Sequence, residues 1–175
     1  MLKEEDNLDP FTEQKNQKNK MPRIKFKRRE ILPDYKYNSQ IVAKLINYVM
    51  RKGKKTVARK IVYKALEEVE KKGKRNCLEI LEQAIKNATP QLEVRSTRIG
   101  GATYQIPIEV KGDRGMRLAL RWMVEGAREK KGKRMWEKLA EEILLASKGQ
   151  GFAVKKKEEI HKIAEANKAF ARFAW

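Results

Sequence analysis

The sequence holds one cysteine and one histidine in 175 residues. A single thiol, Cys77, excludes an internal disulfide and forms no CxxC pair, and His161 has no second imidazole with which to build a metal site. No apolar run reaches the roughly 18 residues that a membrane-crossing helix needs, and no signal-peptide core is evident. The start is acidic rather than Arg-rich, unlike a transit peptide. Catalytic groupings are as scarce. His161 stands near Glu158, Glu159 and Glu165 at ordinary helical steps. "RKGKKT" (51–56) is not a phosphate loop, because the glycine required five positions before Gly53 is Tyr48. "GDRG" (112–115) lacks the glycine pattern of a dinucleotide site. The expectation is a non-enzyme with no cofactor and no metal.

What the sequence has is positive charge. Lys and Arg number 42 against 23 Asp and Glu, a formal net charge of +19. A field of that size attracts polyanions, so nucleic acid is the expected partner, ahead of an anionic membrane surface. With 41% hydrophobic residues, the chain can also bury a core. The charge is uneven: residues 1–20 carry four lysines against five acids, and the other 155 residues carry the rest. Residues 1–20 read as a polar extension. Residues 21–33 read as an extended basic arm, in which Arg23, Lys25, Lys27, Arg28 and Arg29 alternate with Ile24 and Phe26. Residues 34–175 read as one helical domain of ordinary size.

In that domain the apolar steps predict six helices. The first follows Asn38 or Ser39, with Ile41, Leu45, Ile46 and Val49 inward and Gly53 after it. The second starts near Thr56, with Val57, Ile61, Ala65, Leu66 and Val69 inward, and closes at Gly73. Asn76 caps a third that Thr89-Pro90 stops. Asp113 is the expected cap of a fourth, to about Lys131, with Met116, Leu120, Met123, Val124 and Ala127 inward. A fifth runs from about Lys133 to Ser147 and a sixth from about Lys155 to Phe170; Trp122 and Trp136 are expected to be largely buried. Short loops between amphipathic helices favour a compact bundle.

One stretch breaks the period. In "LEVRSTRIGGATYQIPIEV" (92–110) apolar residues alternate, and the halves meet at Gly100-Gly101, which predicts a β-hairpin. Two-stranded ribbons are marginal alone in water, so this one needs a support. Strands of about eight residues reach about 25 Å. Two readings fit: a ribbon that projects and carries Arg95 and Arg98 into a groove of nucleic acid, or a hairpin laid flat over the core. At the turn after the first helix, Lys54 and Lys55 stand near a helix N-terminus and suit a phosphate.

Four segments carry a family likeness: "REILPDYKYNSQIVAKLINYVMRKGKKTVARKIVYKAL", "EVRSTRIGGATYQIPIEV", "LALRWMVEGAR" and "AVKKKEEIHKIAEANKAFARFAW". In order, from about Pro22 to Trp175, they closely resemble small-subunit ribosomal protein seven of the bacterial and organellar type. The resemblance implies a mainly α fold, a six-helix bundle with a protruding β-hairpin. It implies a structural protein of the small subunit that binds ribosomal RNA of the head and directs head assembly. It also implies a place at the subunit interface near exit-site tRNA and mRNA, with the eleventh small-subunit protein as neighbour, on a cytoplasmic or organellar ribosome. Carried onto this chain, the RNA-binding positions are Arg23, Lys25, Lys27, Arg28, Arg29, Lys54, Lys55, Arg95, Arg98, Arg114, Arg117 and Arg121. Residues 1–20 have no counterpart in that pattern. "VKGDRGM" departs from it by carrying Gly112, Asp113 and Gly115 where Pro and Arg are usual, so Arg114 is the weakest of these assignments. A free-standing nucleic-acid regulator is the competing class, and an RNA-modifying enzyme a third.

Overall fold

A computed structural model describes residues 31–173. Six α-helices occur among the described residues: α1 (Gln40–Val49), α2 (Lys55–Gly73), α3 (Cys77–Ala88), α4 (Arg114–Glu129), α5 (Met135–Ser147) and α6 (Phe152–Ala166). Strands β1 (Leu92–Ile99) and β2 (Ala102–Glu109) lie between α3 and α4, and a 3-10 helix (Lys168–Phe173) follows α6. The fold is mainly α with one antiparallel hairpin, as the sequence pattern predicts.

Each helix buries the stripe its period dictates. Val42, Leu45, Ile46 and Val49 of α1 face Ala58, Val62, Ala65, Leu66 and Val69 of α2 in one hydrophobic core. The helix α5 lies at its centre, touching α2, α3, α4 and α6, with Leu139, Ala140, Ile143 and Ala146 fully buried. Helix α4 approaches α6 closely because position 126 is glycine: a Cβ there would sit 2.6 Å from the Phe152 Cβ. The Asn76 side chain caps α3 by accepting from the Leu78 N–H at 3.0 Å.

Several boundaries and burials differ from expectation. Asp113 makes no side-chain cap on α4; its carboxylate meets the Lys44 ammonium at 3.4 Å. Helix α6 starts three residues earlier than predicted, at Phe152, whose ring packs on α4, and gives way to the 3-10 turn after Ala166. Val57 is 51% exposed, because it sits on the first turn of α2, beyond the last turn of α1 that would have covered it; Ala58 is buried instead. Trp122 is buried, but Trp136, on the first turn of α5, is half-buried against the core.

The hairpin register pairs Leu92 with Glu109 and Ile99 with Ala102, around a two-residue turn in which Gly100 and Gly101 have φ of 57° and 92°. Only glycine adopts both angles without strain. Cross-strand partners share a face, so Glu93, Arg95 and Thr97 lie with Tyr104, Ile106 and Ile108. Leu92, Val94, Ser96 and Arg98 lie on the other face with Thr103, Gln105 and Pro107. The apolar residues of the two strands therefore fall on opposite faces at the ribbon's base. The base is held by neighbours: Ile106 and Pro107 are buried, the Tyr104 ring meets Phe170 with centroids 4.8 Å apart, and His161 Nε2 accepts from the Gln91 N–H at 3.2 Å. The tip is exposed, including Arg95, Ser96, Arg98 and Gly100 to Thr103.

Candidate nucleic-acid interface

Where α1 ends, Lys52 and Gly53 turn the chain with φ of 50° and 72°, and α2 begins at once without a side-chain cap or an acid in its first turn. The corner keeps α2's N-terminal amide groups and Lys54 and Lys55 together at the surface. Beside it, α4 ends and α5 begins. The four segments enclose an open groove of about 370 Å³. Its floor is Val49, Val57, Ala58, Ile61 and Met135; its rim is Arg51, Lys54, Arg128 and Lys138. No acidic residue lines it.

The four cations are not equivalent. Arg128 donates through one terminal nitrogen to the carbonyls of Tyr48 at 3.1 Å and Val49 at 3.3 Å, closing the end of α1. Burial, and then repulsion from Arg51, pulls its guanidinium below the usual arginine range. Lys138 Nζ donates to the Lys130 carbonyl at 2.7 Å. Arg51 and Lys54 make no side-chain bond among the described residues. A groove in which cations repel one another is stabilised by an anion that enters it.

The exposed face of α4 continues the charge. Arg114, Arg117, Arg121 and Arg128 follow at three-, four- and seven-residue steps over about 21 Å of helix. Arg121 has no partner among the described residues. Arg117 Nε donates to the Asp113 carbonyl at 3.3 Å, and Arg114 Nε donates to both Glu93 oxygens at 2.8 and 2.7 Å, tying α4 to the ribbon's base. Arg114 is thus the most committed of the assigned arginines. On the ribbon, Arg95 and Arg98 stand on opposite faces. Arg95 has no partner among the described residues, while Arg98 Nε donates to the Gly101 carbonyl at 3.3 Å across its own turn. Lys55 is exposed and free. Arg23, Lys25, Lys27, Arg28 and Arg29 lie outside the described residues.

Sequence reasoning missed three rim residues. Arg51 was legible as a neighbour of the corner lysines, and Arg128 as the next member of the α4 stripe. Lys138 reaches the rim only through packing of α5, and no local pattern marks it. Among the described residues no group of three His, Cys, Asp or Glu could hold a metal, and no helix is long and apolar enough to cross a membrane.

Fold and surface define a strongly cationic, mainly α-helical protein with a groove rimmed by Lys and Arg. Comparison with known proteins makes the class specific. The sequence model of the family described as ribosomal protein S7p/S5e matches residues 21–168, and the chain belongs to that family. It is similar to the small ribosomal subunit protein uS7 of Caldicellulosiruptor saccharolyticus, at 59% identity over 150 residues, 85% of this chain and 96% of the relative. It is 55% identical to the protein of that name from Thermotoga neapolitana over 155 residues, covering 89% of this chain and all of the relative. That from Dictyoglomus thermophilum is 58% identical over 147 residues, 84% of this chain and 94% of the relative. As a member of this family the protein is a structural ribosomal component and not an enzyme.

Proposed function

We propose that the protein binds small-subunit ribosomal RNA in the head of the subunit and organises that domain during assembly. Phosphates meet Arg51, Lys54 and Lys55 at the α1–α2 corner, Arg128 and Lys138 across the groove, Arg117 and Arg121 on α4, and the arm residues Arg23, Lys25, Lys27, Arg28 and Arg29. The ribbon, with Arg95 and Arg98, lies at the subunit interface near exit-site tRNA and mRNA, with the eleventh small-subunit protein as neighbour. Arg114 contributes less, since Glu93 already neutralises it. Phosphate contacts supply affinity, and the shape of the RNA junction supplies specificity.

The observation that carries this reading is the groove, four cations around an apolar floor with no acid among its lining residues. A protein whose charge served only solubility has no reason to hold Arg51 against Arg128. The test is a nucleotide footprint of the purified protein on naked small-subunit RNA. Protections clustered in the lower head support the reading; protections scattered over all domains overturn it. Co-sedimentation with small subunits in high salt separates a subunit component, which stays, from a free regulator, which washes off.

A further inference from the structure

The described chain opens on a tight turn that is more firmly held than its length suggests. The Asp34 carboxylate is buried and accepts from the Lys36 N–H at 3.1 Å, the Tyr37 N–H at 3.4 Å and the Tyr63 hydroxyl at 2.8 Å. The Asp34 N–H donates to the Ser39 carbonyl at 3.2 Å, and the Asn38 N–H donates back to the Asp34 carbonyl at 2.8 Å. Tyr37 packs edge-on to Tyr63, their centroids 5.7 Å apart, and the Lys36 ammonium sits 5.4 Å from both rings while it pairs with Glu67. Everything in the turn is engaged except the residue at its tip. Tyr35 is 97% exposed, and it makes no hydrogen bond or ring contact among the described residues.

That exposure sets it apart. The other four tyrosines, Tyr37, Tyr48, Tyr63 and Tyr104, are half-buried, and the next most exposed large apolar residue is Leu32, at 81%, on the approach to the same turn. A tyrosine presented on a backbone pinned at both sides loses little freedom when it is covered, since only two side-chain torsions remain to be fixed. The surroundings indicate what covers it. Along α2, against which the turn is clamped, Arg59, Lys60 and Lys64 are exposed, and Arg59 is near enough to act on the Tyr63 hydroxyl. Two acids act on the clamp: Glu67, held below the usual carboxylate range first by its bond to Lys36 and then by Lys71 and Lys64 as well, and Glu70, which acts on the Tyr37 phenol. An exposed aromatic platform on a turn clamped to α2, which carries the exposed Arg59, Lys60 and Lys64, matches a nucleic acid with an unstacked base better than it matches an apolar protein surface.

We infer that Tyr35 is a stacking platform for an unpaired nucleobase of the ribosomal RNA. The inference rests on the RNA-binding reading above and adds to it a base contact, distinct from the phosphate contacts of the groove and α4. Stacking needs only a π-face, so phenylalanine replaces tyrosine and leucine does not, although leucine keeps the apolar area.

The test compares the full chain with Tyr35→Phe and Tyr35→Leu on transcribed small-subunit RNA. Both variants should keep the parent melting temperature, because the ring is 97% exposed and packs on none of the described residues. Tyr35→Phe should bind within about twofold of the parent, and Tyr35→Leu about 5- to 150-fold more weakly, the range found for loss of one base–aromatic stack. The slope of affinity against salt should be unchanged in both, since no phosphate contact is lost. Short-wavelength cross-linking of the parent complex should leave a nucleotide adduct on Tyr35. Equal binding by Tyr35→Leu and the parent overturns the inference and leaves the RNA-binding reading standing. So does a variant that binds RNA normally but enters small subunits poorly, which assigns the ring to a protein neighbour. A parent chain that fails to bind the RNA at all removes the RNA-binding reading itself.

Discussion

Arg121 and Arg128 are seven residues apart on one helix face and carry the same charge, yet the structure gives them different work. Arg121 is exposed and makes no hydrogen bond or ion pair among the described residues, so Arg121→Ala should leave stability within about 0.5 kcal/mol. Its RNA affinity should lose about 0.7–0.9 units of slope against log salt, the share of one phosphate. Arg128 closes the end of α1 through two carbonyls. Each such bond to a charged donor contributes about 1.5–3 kcal/mol, but removing the guanidinium also relieves its burial and its repulsion from Arg51. The net cost of Arg128→Ala should be about 1–2 kcal/mol. Urea titration and filter binding on the two variants measure both quantities. Equal stability of the pair would mean that the Arg128 bonds do not hold α1. Glu142 shows the same logic where no ligand is involved. Fully buried in α5, it accepts from the Ala153 N–H at 3.1 Å at the start of α6, and its other oxygen lies 2.8 Å from Lys130 Nζ, off the axis of an aligned hydrogen bond. Breaking such a pair from one side costs about 3–5 kcal/mol when both charges are buried; Lys130 Nζ is buried although its side chain is partly exposed, so Lys130→Met should fall within that range, read as a fall in melting temperature.

The elements that present these residues respond to pH and to sequence in ways their hydrogen bonds dictate. In the clamp that joins the Asp34 turn to α2, burial and then the bond to Asp34 push the Tyr63 phenol up, and burial pushes Tyr37 up. A phenol held above its ordinary value near 10 binds its proton more tightly folded than unfolded. Its contribution is therefore complete below about pH 10 and lost as pH climbs through the folded value. Lys36, raised first by its bond to Glu67, acts in the same direction. Stability should fall as pH rises above about 10, and Tyr63→Phe, less stable at pH 8, should show a shallower fall; parallel curves would exclude the clamp as the cause. In the ribbon, Arg95 and Arg98 face opposite ways, so Arg95→Ala/Arg98→Ala should change stability by less than about 0.5 kcal/mol while weakening RNA binding on two fronts. Were the hairpin a lid, the double variant would melt earlier and bind normally. The alternation of 92–110 and the glycine pair made this ribbon legible, because period and turn chemistry are local. Its register was not: which face Leu92 shares with Pro107 depends on pairing across the turn, and the staggered apolar residues make sense only once α6 and the Phe170 turn are beside it. Likewise the α4 stripe could be read from spacing, whereas the groove, made of the ends of four helix segments, could not. Val57 was misplaced for the same reason, since its period is right and its cover is missing.

At the scale of the molecule, charge and core are separable. The core lies within residues 31–173, where α5 touches four other helices, and the first 30 residues divide sharply by composition. Residues 1–20 carry four lysines against five acids, while residues 21–30 carry Arg23, Lys25, Lys27, Arg28 and Arg29 against Glu30 alone. A chain beginning at Met21 therefore has a formal charge of +20, and one beginning at Ile31 has +16. Both should melt cooperatively near the full-length value, because neither deletion removes a residue of the described core. On RNA they should diverge. Removing residues 1–20 takes away slightly more negative than positive charge, so affinity should stay equal or rise slightly, with the salt slope unchanged. Removing the arm deletes five cations; if each neutralises a phosphate, the slope against log salt falls by about 3.5–4.5 units, a difference far larger than the error of a titration between 50 and 200 mM. Nonspecific attraction gives a different pattern, because it follows the total field and changes only modestly between +20 and +16. Equal slopes for all three chains would remove the arm from the interface and leave the groove, α4 and the ribbon to hold the RNA alone.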